Sequence, residues 1–100
     1  MKTLRTAFAA ALLGAAAFGV HAQVDQVKVW AASCANCHGT NGHAQPGMEA
    51  LAGKNAEDMT KALLDFKAGR KPATIMHQLA KGYTDDELRA IAAYFAAQKK

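Results

Sequence analysis

The chain holds two cysteines, Cys34 and Cys37, three positions apart, and His38 follows the second directly. A disulfide between them would close so small a loop that little entropy would leave the unfolded chain, so the pair makes a poor structural bridge. Yet the chain needs a staple. Residues 1–22 begin with Lys2 and Arg5, continue through an apolar run over residues 7–20, and finish with the small residues Val20 and Ala22 around His21, the layout of a secretory signal peptide. Cleavage is expected before Gln23, which leaves a single domain over residues 23–100, 78 residues long. The apolar run counts 14 residues, whereas a membrane span needs roughly 20. The mature form is therefore expected to have no membrane span, a retained N-terminal anchor being the alternative. A domain this short buries too little apolar surface to be secure alone and commonly leans on a metal, disulfides or another staple. A large group gripped by the cysteines would supply the missing core.

Cys34-Ala35-Asn36-Cys37-His38 has the CxxCH spacing of covalent haem c attachment. Two thiols can form thioethers with the two haem vinyl groups, and the adjacent imidazole of His38 reaches the iron from the same side as the proximal ligand. Two intervening residues let one local turn deliver all three groups to one haem face. Export agrees, because haem is joined to such chains outside the cytoplasm. A thioredoxin-like CxxC would need a preceding strand and a βαβ context, and neither is present in the pattern. A zinc site from Cys34, Cys37 and two of His38, His43 and His77 has suitable ligand types, but the second half lacks the paired spacing of zinc modules.

The pattern around this motif is helical throughout. Val24, Val27, Ala31 and Cys34 recur every three or four residues, with Trp30 near the same stripe, which predicts a helix leading into the cysteines. Between Gly39 and Gly53 stand four glycines and Pro46, predicting a loop wrapped on the cofactor. Asn55 caps a second helix with Asp58 in its first turn, Met59, Ala62, Leu63 and Phe66 as its apolar stripe and Gly69 as its stop. Pro72 suits the opening turn of a short third segment toward Gly82. Thr84 and Glu87 form a capping box ahead of a last helix that places Leu88, Ile91, Ala92 and Phe95 on one face. No stretch alternates with a strand period, so the fold class is all-α.

The second axial position of the iron calls for a methionine sulfur or another imidazole. Met59 sits on a core stripe, and Met48 lies only ten residues after His38, too near to reach the opposite face. Met76, placed before the last helix, is the favoured ligand, with its neighbour His77 as the bis-histidine rival. His43 and His77 otherwise read as partly exposed polar residues. Methionine opposite histidine raises the reduction potential, and two filled axial positions leave no open iron site. The expected activity is single-electron transfer without catalysis by the chain itself. A haem-based ligand sensor is the alternative from another class.

The mature charge, 10 basic against 8 acidic residues or +2, has no dense basic run and does not suggest nucleic acid. Lys54, Lys67, Arg70, Lys71 and Lys81 either ring the haem edge and steer an acidic redox partner or are ordinary solvated positions.

The residues from Ala32 to Gly39, Leu51-Ala52-Gly53, Phe66-Lys67-Ala68-Gly69-Arg70, the run from Ala73 to Asp85 and Ile91-Ala92-Ala93-Tyr94-Phe95 resemble the small monohaem class I cytochromes c. Within that group the chain is most similar to the cytochrome subunits of flavocytochrome c sulfide dehydrogenases and their soluble periplasmic relatives. The resemblance implies three to five helices wrapped round one haem, with the first and last helices crossing near Trp30 and Tyr94-Phe95. It also implies Met76 as distal ligand, a periplasmic location, and redox partners such as a flavoprotein sulfide dehydrogenase subunit or a terminal oxidase. A free soluble carrier with no dedicated enzyme partner is the other form of that reading. Relatives usually carry proline where Glu49 stands, in the backbone region that supports the proximal histidine, and Pro46 is the candidate substitute. They commonly carry tyrosine in place of Asp58 and glutamine in place of Ala62, so those polar contacts are not implied here.

Overall fold

A computed structural model describes residues 25–100. The expected signal peptide, its cleavage point and Val24 lie outside the described residues. Four α-helices and one short 3-10 turn make up the described part, with no strand among these residues.

Helix α1 (Gln26–His38) starts where the Asp25 carboxylate accepts hydrogen bonds from the amides of Val27 and Lys28, at 3.2 and 3.4 Å. These bonds satisfy two amides that the first turn leaves without partners. The helix stops at Gly39, whose φ of 84° is costly for any residue with a Cβ. A 3-10 turn (Thr40–Gly42) follows, and the loop then runs to α2 (Ala56–Ala68). Asn55 caps α2 through the amides of Glu57 and Asp58, at 2.9 and 3.0 Å, and Gly69 ends it in the left-handed conformation, as the sequence predicts.

The third helix begins later than expected. Helix α3 (Met76–Lys81) starts four positions after Pro72 and has no side-chain cap. Before it, the amides of Arg70 and Lys71 turn back to the Asp65 carbonyl, at 2.9 and 3.4 Å, so the chain is still closing the end of α2 as it reaches the proline. Helix α4 (Asp85–Ala96) carries the predicted capping box: Glu87 N–H donates to Thr84 Oγ1 at 3.1 Å, and Thr84 N–H donates to the Glu87 carboxylate at 3.3 Å.

All four residues predicted for the inner face of α4, namely Leu88, Ile91, Ala92 and Phe95, are buried. They join Ala31 of α1 and Met59 of α2 in one cluster, and Trp30, Cys34, Tyr83 and Tyr94 pack on its edge. Helix α4 thus lies against both α1 and α2, while α3 packs on α2. Ala31 and Ala92 are 2% and 0% exposed, and such small side chains let two crossing helices come close. Only four large side chains fill this cluster, which is a slight core for a domain of this size.

Candidate haem site

A cleft of about 500 Å³ opens between the end of α1, the loop before α2, the inner face of α2 and the start of α3. Its walls are largely apolar, with Leu51, Met59, Leu63, Phe66, Ile91 and Phe95 among them, and Glu49, Lys54, Asp58 and Lys71 add polar groups. The core stripe of α2 is therefore shared. Met59 joins the buried cluster and also reaches the cleft, whereas Ala62, Leu63 and Phe66 line the cleft and remain half-buried.

Cys34, His38 and Met76 all line this one cleft. Forty-two positions separate Cys34 from Met76 in the sequence, and the packing of α3 on α2 brings them together. Cys37 is exposed and stands outside the lining, one helical turn beyond Cys34. Both cysteines are free thiols. Burial pushes the Cys34 thiol up from its ordinary pKa, with the Ser33 hydroxyl acting weakly the other way. A redox CxxC pair needs the opposite, a thiol depressed at a helix N-terminus, whereas this pair sits near the C-terminal end of α1.

The ring of His38 is oriented by the backbone. Its Nδ1–H donates to the Glu49 carbonyl oxygen at 2.6 Å, which leaves Nε2 as its one nitrogen without a hydrogen bond among the described residues. A metal-ligating imidazole is commonly held in this way, since the bond fixes the tautomer and the ring plane. Glu49 therefore supplies through its own carbonyl the support that the sequence left open, and Pro46 is not needed as a substitute. The Glu49 carboxylate pairs with Lys54, which holds it below the usual carboxylate range.

The rival ligands are engaged elsewhere. His43 Nε2 bonds to the Lys99 carbonyl at 2.6 Å, and His77 Nε2 donates to the Lys71 carbonyl. Neither lines the cleft, nor do Met48 or Cys37. Among the described residues no three His, Cys, Asp or Glu side chains gather as a metal cluster, which disfavours the zinc alternative. A haem fits the donor set: an imidazole with a free Nε2, a thioether sulfur and a thiol around an apolar cleft of suitable size.

The basic residues are less available than their sequence positions suggest. Lys54 pairs with Glu49, Lys67 with Asp85 at 2.8 Å, and Arg70 with Asp65 at 3.0 Å. Lys71 lies over the Phe66 ring, 5.2 Å from its centroid. Of the five, only Lys54 and Lys71 line the cleft.

Residues 22–95 match the protein family described as cytochrome C oxidase, cbb3-type, subunit III. The chain is 44% identical to the cytochrome subunit of sulfide dehydrogenase of Chlorobaculum tepidum over 68% of its own length and 62% of that protein. It is 34% identical to cytochrome c-553 of Helicobacter pylori, over 87% of this chain and 93% of the other. The structure of Acidithiobacillus ferrooxidans cytochrome c4 superposes with a TM-score of 0.68 at 27% identity, covering 80% of this chain and 52% of that one. The chain thus spans 62% of the Chlorobaculum relative and about half of the cytochrome c4 structure.

Helices closed round a cleft with CxxCH at its edge define a c-type cytochrome of the class I fold, a class that binds haem c covalently. The chain belongs to the cytochrome family described as cytochrome C oxidase, cbb3-type, subunit III.

Proposed function

We propose that this protein is an exported, periplasmic single-electron carrier in which Cys34 and Cys37 hold one haem through thioethers while His38 and Met76 take the two axial positions. The observation that carries this reading is the meeting of Cys34, His38 and Met76 on one apolar cleft, with His38 Nδ1 held by the Glu49 carbonyl. When bound, the haem supplies a one-electron ferric/ferrous couple, and a methionine sulfur favours the ferrous state over what a second imidazole would give. The chain's own part is to hold and to exclude. Glu49 fixes the imidazole plane, and Leu63, Phe66, Ile91 and Phe95 keep water from the walls. Filled axial positions disfavour the ligand-sensor alternative.

The similarity to a sulfide dehydrogenase cytochrome subunit, and 39% identity over 69 residues to the thiosulfate dehydrogenase electron acceptor of Stutzerimonas stutzeri, support a sulfur-oxidising context. In that context a flavoprotein subunit oxidises sulfide and passes electrons singly to this chain, which hands them to a further acceptor such as a terminal oxidase. Intact-mass measurement of the secreted protein should give the polypeptide from Gln23 onward plus one haem, resistant to extraction by acidified organic solvent. A bare polypeptide mass contradicts the reading. Purification from the native periplasm should also bring down a flavin-containing chain, and its absence would leave a free carrier.

A further inference from the structure

Ser33 and Tyr83 are 50 positions apart, yet their hydroxyls meet at 2.7 Å. The Ser33 hydroxyl lies 2.9 Å from the Trp30 carbonyl, to which it donates its single proton. Tyr83 must then be the donor to Ser33, since each hydroxyl has one proton to give. Tyr83 Oη also lies 3.4 Å from that same carbonyl. Among the described residues these are the only hydrogen bonds that join α1 to residues 69–83, the stretch that carries Met76.

Each end of the contact is anchored next to a residue of the site. Ser33 precedes Cys34, with its Oγ 4.0 Å from the Cys34 sulfur. Tyr83 stands two residues past the end of α3, its amide bonded to the Ala80 carbonyl at 3.3 Å, and Ala80 is itself 2% exposed. The tyrosine ring packs on the core cluster. A shift of α3 therefore has to move Tyr83, and Tyr83 is tied to the helix that carries Cys34 and His38. At the other end of α3 residues 70–75 are exposed and no side chain caps the helix; His77 donates there to the Lys71 carbonyl, a bond that does not reach α1.

We propose that Ser33 and Tyr83 form a latch behind the cleft that holds the Met76 segment at the right separation from the CxxCH helix. Neither residue lines the cleft, so both are positioning residues. The inference rests on Met76 being the distal ligand. Without the latch, the fraction of molecules with Met76 off the iron rises, and an external ligand finds the site open more often.

The test uses the haem-loaded protein and two readouts: apparent carbon monoxide affinity of the ferrous form, and loss of the ferric methionine-to-iron charge-transfer band during urea titration alongside helical circular dichroism. Tyr83→Phe and Ser33→Ala should each raise carbon monoxide affinity about five- to tenfold, the factor one hydrogen bond makes in an equilibrium constant. In both variants the band should vanish at lower urea than the helical signal. The double variant should match Tyr83→Phe, because loss of the phenol hydroxyl already removes both bonds from Tyr83 to α1, and Ser33→Thr, which keeps the hydroxyl, should behave as wild type. Tyr94→Phe serves as control: it breaks a 2.7 Å bond to Asn41 away from Met76, and should lower stability with band and helix lost together. If Tyr83→Phe and Ser33→Ala bind carbon monoxide as wild type does and lose band and helix together, the latch is wrong and the Met76 assignment survives. A wild-type protein with no such band overturns both.

Discussion

On the histidine side of the cleft the backbone closes on itself: His38 donates to the Glu49 carbonyl, and the Gly42 carbonyl accepts from the amides of both Leu51 and Ala52, at 2.9 and 3.2 Å. On the methionine side, residues 70–75 are exposed, α3 is six residues long, and the tie to α1 is the Tyr83–Ser33 contact. The first side is a scaffold that sets an imidazole once. The second is a strap that packs on α2 but is entered through exposed residues and tied to α1 at one point. Under the proposed His38 and Met76 ligation, ligand exchange should therefore begin with methionine, because exposed stretches such as residues 70–75 open locally most readily.

The largest effect expected from breaking the histidine side is loss of the holoprotein itself. Cys34→Ala or His38→Ala should leave little or no covalently loaded protein, read as haem absorbance per polypeptide in the secreted fraction.

Glycines separate the two sides next. A Cβ at Gly42, where φ is 81°, would sit 2.7 Å from the Ala52 amide nitrogen and 3.0 Å from the Phe95 ring. Gly69 on the methionine side has φ 78° but nothing within 4 Å of an added Cβ. Gly42→Ala should then cost about 2–4 kcal/mol from strain and overpacking, and Gly69→Ala about 1 kcal/mol from backbone strain alone. Urea unfolding of the two variants measures the difference, and equal costs would remove the contrast between a packed and an open side. Thr84→Ala breaks the capping box of α4 and should cost about 1 kcal/mol in the same assay.

The smallest effect concerns the entry to the strap. Asp65 pairs with Lys61 and Arg70, which hold its carboxyl below the usual range. A depressed folded-state pKa stabilises the fold above the unfolded value of about 3.9 and loses that contribution as pH falls through the folded one. Asp65→Asn should thus be slightly less stable than wild type at neutral pH, with the gap closing in acid below about pH 4. Added salt should narrow the gap as well.

Much of this architecture was legible because its signals are local. The Thr84–Glu87 box and the stripe Leu88, Ile91, Ala92 and Phe95 sit within one helix, and all four apolar residues are buried. Asn55 and Gly69 bound α2 for the same reason, and CxxCH compresses three functional groups into five residues. The contacts made across the chain were not legible. The Glu49 carbonyl is a backbone group, so no side-chain pattern announces it; the resemblance pointed to that stretch of backbone, but through a proline that this chain lacks. Ser33 and Tyr83 carry hydroxyls with no periodicity to connect them. Pro72 suggested a helix start where the chain was still closing α2 on Asp65. Likewise, Lys54, Lys67 and Arg70 looked free in sequence because their partners Glu49, Asp85 and Asp65 are set by tertiary packing or by turns.

The measurement that bears most directly on the account is the ferric methionine-to-iron charge-transfer band in three single variants of the haem-loaded protein. Met76 and Met59 both line the cleft, Met59 from the core at 8% exposure, and Met48 is 46% exposed on the loop outside it. Met76→Ala should abolish the band and lower the reduction potential, while Met48→Ala and Met59→Ala keep it. A band that survives Met76→Ala and disappears with either of the others would contradict the placement of the two axial ligands on which the account is built.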